Sequence, residues 1–169
     1  MAKKVVWGMV FILVAALLQS TVFSRIAVYI HAVPDLALII LVFSAYVNGT
    51  MTGQLTGFFS GFMMDFLSAA PLGLNALVRT LIGALTGFIK GTFFLDIFFL
   101  PMALCAGATA FKALVYFLLH LLLAGGVPSY NIFGLTFWIE MGLNTLLAPF
   151  LFGFLKLFES LLVGKGENS

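Results

Sequence analysis

Six apolar stretches, near residues 5–23, 35–48, 50–68, 74–90, 101–123 and 132–156, follow one another with connections too short to hold a soluble domain. A hydrocarbon core about 30 Å thick is crossed by roughly 20 apolar residues in a helix, and only the second stretch falls well short of that. Of the 169 residues, 63% are hydrophobic and 8% charged, with a mean hydropathy of +1.20. A soluble domain carries about 25% charged residues. The expected solvent is therefore lipid. The expected fold is all-α, a polytopic membrane protein with six transmembrane helices in one compact bundle, forming a single integral membrane domain over residues 1–169.

The N-terminal MAKK ahead of Val5 to Leu18 has the outline of a signal peptide. Five further apolar stretches follow, so it is read as a retained span. Lys3, Lys4, Lys90, Lys156 and Lys165 fall on one side of a six-span topology and Arg25 on the other. This bias predicts that both termini are cytoplasmic. Pro34, Pro71 and Pro101 stand at or beside helix starts, where a missing N–H costs nothing. Pro149 lies inside the last stretch, a position transmembrane helices tolerate with a kink. Residues 93–100, with Asp96 among aromatics, read as a short interfacial segment. The net charge of +2 has no basic cluster behind it, which argues against a nucleic-acid partner. Cys105 is the lone cysteine, so neither a disulfide within the chain nor a thiol metal cluster can form.

Within the third stretch, Gly49, Gly53, Gly57 and Gly61 recur every four residues, and Asp65 takes the next step. A step of four advances about 400° around an α-helix, so these residues form one slowly rotating stripe. Lipid tails are as apolar as leucine, and helices in a bilayer associate where small residues let backbones approach. The stripe marks a close helix contact, within the chain or with another polypeptide, a second copy included. Gly83, Gly87 and Gly91 echo it weakly in the fourth stretch.

Charges inside a bilayer are costly, face protein or water, and find partners. At about 1.5 Å per residue, Asp65 and Arg79 both lie about 8 Å below the outer edge on consecutive antiparallel spans. They are expected to pair. Lys112 and Glu140, about 16 and 18 Å above the inner edge, form a second expected pair. An ion relay competes with structural pairing as an explanation. A relay calls for a carboxylate lacking a permanent cation, and each deep carboxylate here has a cation at matching depth, which favours structure. His31 and His120 read as interfacial residues, and Asn75, Asn131 and Asn144 as candidate interhelical hydrogen-bonding groups. No nucleophile stands beside a base, no metal-ligand spacing occurs, and no phosphate loop is present. The chain is not expected to be an enzyme, nor to carry a metal or cofactor.

Three motifs, in this order and spacing, resemble the rod shape-determining protein MreD family of the bacterial inner membrane. They are Val33-Pro34-Asp35-Leu36 opening the second stretch, the ladder Gly53, Gly57, Gly61, Asp65, and Pro71-Leu72-Gly73-Leu74-Asn75 opening the fourth. Beyond residue 91 the likeness is one of size and hydropathy. The resemblance implies a non-enzymatic, multi-pass subunit of the cell-elongation (rod) complex, supporting cell shape and lateral peptidoglycan synthesis. Its implied partner is MreC, and through it the actin-like MreB, the glycosyltransferase RodA and a class B penicillin-binding protein. For Pro34, Asp35, Pro71 and Gly73 it implies structural or interface importance. The family is similar in fold to the substrate-binding S components of ECF vitamin transporters. Asp35, Asp65, Asn75, Arg79, His120 and Asn131 toward the outer half keep that alternative function open.

Overall fold

The segment Leu36–Asn48 is apolar on all its faces, and a helix of that kind has to be surrounded. In the computed structural model it is. Every residue from Leu36 to Tyr46 is buried, and the helix touches each of the other five. The structure describes residues 2–19, 21, 32–68, 71–91, 98–123 and 131–158. Arg25, His31, Asp96 and Lys165, with the connection at 124–130 and most of the segment at 93–100, lie outside the described residues.

Among the described residues the chain is all-helical, with six helices and no strand. They are α1 (Ala2–Leu18), α2 (Leu36–Asn48), α3 (Thr50–Leu67), α4 (Leu74–Phe88), α5 (Phe99–Leu122) and α6 (Leu135–Leu157). Their ends differ by a few residues from the apolar stretches, chiefly at α1, α5 and α6. Helix α5 begins two residues before Pro101. That leaves the proline in the first turn, where the N–H has no intrahelical partner to lose. Pro149 lies within α6 and withholds a hydrogen bond from the turn before it. Two helices, α5 and α6, are long and apolar enough to cross a membrane, and α2 and α4 are shorter apolar helices.

The core gathers on α2. Ile12 and Ala15 of α1, Val78 and Ile82 of α4, Cys105 and Tyr116 of α5, and Phe152 and Leu155 of α6 pack around it. Phe43 meets Phe152 edge-on with ring centroids 5.1 Å apart. Large apolar side chains also cover the outside, including Phe66, Phe88, Phe133, Leu135 and Leu157. A surface of this kind suits contact with lipid or with other helices.

Between α2 and α3 the chain reverses on Gly49, whose φ of 93° and ψ of 179° are open only to glycine. Gly49 thus serves the turn as well as the ladder. From there α3 and α4 run antiparallel in close contact. A Cβ on Gly53 would meet the carbonyl of Gly83, one on Gly57 the carbonyl of Arg79, and one on Gly61 the backbone of Asn75 and Ala76. In return, a Cβ on Gly83 would strike the Gly53 carbonyl, and one on Gly87 would lie 2.5 Å from the Thr50 nitrogen. Each four-residue step along α3 is matched by a four-residue step back along α4. Gly53, Gly57 and Gly61 of the ladder are thus buried within this chain.

Candidate functional site

The register of that seam delivers Asp65 to the start of α4. Gly73, at the N-cap, has no side chain with which to cap the helix. The carboxylate of Asp65, 3% exposed, does so from across the seam. It accepts hydrogen bonds from the backbone N–H of Gly73 at 2.9 Å, Asn75 at 2.9 Å and Ala76 at 3.2 Å, and from Asn75 Nδ2 at 3.0 Å. These are donors that a helix leaves unpaired at its N-terminus, the end where the helix dipole favours a negative charge. Gly73 itself, at φ 93°, makes the left-handed turn into α4.

The pairing of Asp65 with Arg79 is therefore corrected. Arg79 lies opposite Gly57, two turns deeper in the register, and its guanidinium turns to Asp35. Arg79 Nη2 is 2.8 Å from Asp35 Oδ1 and 2.9 Å from Oδ2. Depth counting failed because it placed each helix from an assumed membrane edge. The glycine contacts set the offset instead, and it differs by about eight residues, or about 12 Å of helix.

Asp35 is the centre of the polar interior. Its Oδ1 accepts from Leu38 N at 3.0 Å, capping α2, and its own N–H donates to Asn144 Oδ1 at 2.7 Å. Lys112 Nζ lies 3.0 Å from Asp35 Oδ2 and 2.7 Å from Glu140 Oε1. The structure thus brings Lys112 and Glu140 together, and adds Asp35 to the same ammonium. Asn144 Nδ2 donates to Thr109 Oγ1 at 3.0 Å, and Thr109 Oγ1 donates to the Cys105 carbonyl at 2.8 Å. Two carboxylates and two cations from four helices cancel in charge, with Asp35, Arg79 and Glu140 each at most 8% exposed. Beside them Tyr116 donates to Asn75 Oδ1 at 2.7 Å, joining α5 to the Asp65 cap.

Pro34 is buried one residue ahead of Asp35, and Pro71 accepts from Leu74 N at 3.2 Å in the turn before α4. Asn75 and Asn144 bond between helices, whereas Asn131 accepts locally from Phe133 N at 3.0 Å. His120 lies in the last turn of α5. Sequence reasoning placed Asn144 between helices but missed the roles of Thr109 and Tyr116. Their signal was periodicity, since Thr109, Lys112 and Tyr116 share a face of α5, and Glu140 and Asn144 a face of α6.

Two outcomes follow from this geometry. Asp65→Ala removes four hydrogen bonds to one helix start and is expected to cost about 2–3 kcal/mol, with Asp65→Asn retaining part of it. Denaturant titration of the purified chain in detergent measures this, and a change below about 0.5 kcal/mol for Asp65→Ala would contradict the cap. For the second pair, Lys112→Glu is expected to reduce the yield of folded protein sharply. Adding Glu140→Lys is expected to restore only part of it, because the new carboxylate still faces Asp35. Full restoration, read by fluorescence-detected gel filtration, would show that the Lys112–Asp35 contact carries little weight.

What this arrangement can do chemically is limited. The buried acids and bases are spent on one another and on helix ends, and among the described residues no group of three His, Cys, Asp or Glu side chains is placed to hold a metal ion. No curated protein and no solved structure matches the chain. Residues 1–158 match the model of one protein family, described as rod shape-determining protein MreD. With nearly the whole chain matched, and with a role in rod shape determination as the family's function, the chain belongs to the MreD family.

Proposed function

We propose that the chain is a non-enzymatic, multi-pass subunit of the bacterial cell-elongation complex. It sits in the inner membrane with six spans and both termini in the cytoplasm. It supports lateral peptidoglycan synthesis by binding MreC, and through MreC it connects with MreB, RodA and a class B penicillin-binding protein. The observation that carries this reading is the charge-neutral cluster of Asp35, Arg79, Lys112 and Glu140, in which Arg79 Nη2 is paired and Arg79 Nη1 is buried with no partner among the described residues. It fastens four helices to one another. A rigid bundle with apolar outer faces suits an assembly part. The topology is supported by the contact of Gly49 with the Lys90 side chain, and by Gly8 of α1 lying against Ser44 and Thr56. The first of these sets Lys90 beside the turn between α2 and α3, and a positive-inside arrangement puts Lys3 and Lys4 at the same end. The vitamin-transporter alternative needs outward polar groups left over for a ligand, and Asp35, Asp65, Arg79 and Asn75 are engaged internally.

The test is affinity purification of the intact chain in mild detergent, followed by mass spectrometry. Recovery of MreC with wall-synthesis enzymes is the expected result. Recovery of paired ATPases with a membrane coupling subunit would overturn the proposal in favour of a transporter component.

A further inference from the structure

Among the described residues four side-chain oxygens are buried with no hydrogen-bond partner, and three of them belong to one corner of the bundle. They are Ser44 Oγ and Asn48 Oδ1 of α2 and Thr56 Oγ1 of α3. Ser44 and Thr56 are fully buried, each at 0% exposure. Thr80, Thr109 and Thr145 turn their hydroxyls back on the carbonyl four residues earlier, at 2.6, 2.8 and 2.7 Å. Ser44 and Thr56 leave that bond unmade. A buried hydroxyl without a partner is costly in an apolar setting, and more so inside a membrane.

Both hydroxyls are aimed at α1. The place a Cβ would take on Gly8 is 3.3 Å from Ser44 Oγ and 3.7 Å from Thr56 Oγ1. It is also 3.3 Å from the Thr56 methyl, so a larger residue at position 8 would crowd both side chains. Glycine in the middle of α1, where alanine is preferred, thus keeps clear the space before the two hydroxyls. Asn48 follows Ser44 by one turn on the same face of α2. Its Nδ2 donates to the Ser44 carbonyl at 3.0 Å, which draws the amide back over the Ser44 turn.

A ligand that satisfies these oxygens must be small and neutral, and must donate as well as accept. The hydroxyls can each do both, whereas the amide oxygen only accepts. A metal cation would use all three as acceptors and leave the hydroxyl protons unmatched. Helices α1 and α2 carry no acid to balance its charge, and Lys4, one turn before Gly8, adds charge of the same sign. Water meets every condition, and buried waters bridge roughly two to four otherwise unsatisfied polar groups. We propose that one water molecule is bound where α1, α2 and α3 meet. It is hydrogen-bonded to Ser44 Oγ and Thr56 Oγ1 in front of Gly8, with Asn48 Oδ1 as its third partner. The bridge ties α2 to α3 beneath α1.

The experiment uses the full chain in detergent, with Ser44→Ala, Thr56→Val and the two combined. A bridging water makes each single change harmful, because the other hydroxyl and the water are left short of a partner. The double change is mild, since neither end of the bridge remains. In denaturant titration each single change is expected to raise the unfolding constant about fivefold or more. The double variant is expected to lie within about twofold of the unsubstituted chain. An experimental structure of the unsubstituted chain is expected to show density for one water about 2.8 Å from both hydroxyl oxygens. Single changes that are neutral or stabilising, or whose losses add in the double variant, would overturn the bridge. So would a direct Ser44–Thr56 hydrogen bond with no such density. Stability that falls when choline replaces sodium in the buffer would overturn it in favour of a bound cation.

Discussion

Gly83→Val will disable folding more than any other single substitution considered for this chain. Even the first added carbon lands on the Gly53 carbonyl, which is helix backbone and cannot swing aside as a flexible side chain would. A Cβ on Gly53 would come within 2.8 Å of the Ala45 Cβ. The helices have to separate, and separation forfeits the dispersion contacts along the whole seam, since a gap of an ångström already loses a large part of each. Overpacking in a yielding core costs about 1–3 kcal/mol, so this site should reach or exceed about 3 kcal/mol. It also pulls Asp65 off the start of α4. Gly142→Ala is the matched control, for a Cβ there meets nothing within 4 Å. It should be neutral or stabilising by up to about 1 kcal/mol, through helix propensity alone. Denaturant titrations of both variants in detergent make the comparison. Equal stabilities would mean that the seam does not hold the two helices together.

Arg79→Leu is expected to be the most harmful change in the polar interior. It strips Asp35 of two charge-assisted hydrogen bonds and leaves a buried carboxylate leaning on Lys112, which Glu140 also claims. Breaking a buried ion pair on one side costs about 3–5 kcal/mol, most of it the penalty on the charge left behind. Adding Asp35→Asn removes that charge. It leaves Lys112 and Glu140 as a balanced pair, and an amide oxygen can still accept from Leu38. The double variant should therefore regain a large part of the loss. If it is as unstable as Arg79→Leu alone, the cost lies in packing around the guanidinium and the electrostatic account fails. Asp35→Asn made alone, set beside Arg79→Leu, also separates the roles of Asp35, which caps α2 as well as pairing with Arg79.

Much of the fold was legible in the residues because it depends on local pattern. The length and spacing of apolar stretches marked six helices, while the burial of Leu36–Tyr46 on every face came only with the structure. Glycines every fourth residue announced a close backbone contact, which needs only helical geometry to read. The Lys112–Glu140 contact was also within reach, being a matter of depth on adjacent helices.

The partners of Asp65 and Arg79 were not. Both choices depend on how far α3 is slid along α4, and a single sequence carries no ruler for that offset. The interlocking of Gly53 with Gly83 and Gly57 with Arg79 fixes it in three dimensions, and the whole set of polar contacts shifts with it by two turns. Asp35 shows the same dependence. As a residue it is a helix cap, while its place beside Arg79, Lys112 and Asn144 comes from four helices that are far apart in the chain. Sequence alone determined which segments are helices and that charges in them must find company. Tertiary structure decided which company, because side-chain pairing over a few ångströms is set by the relative placement of whole helices, and that placement is a property of the packed bundle.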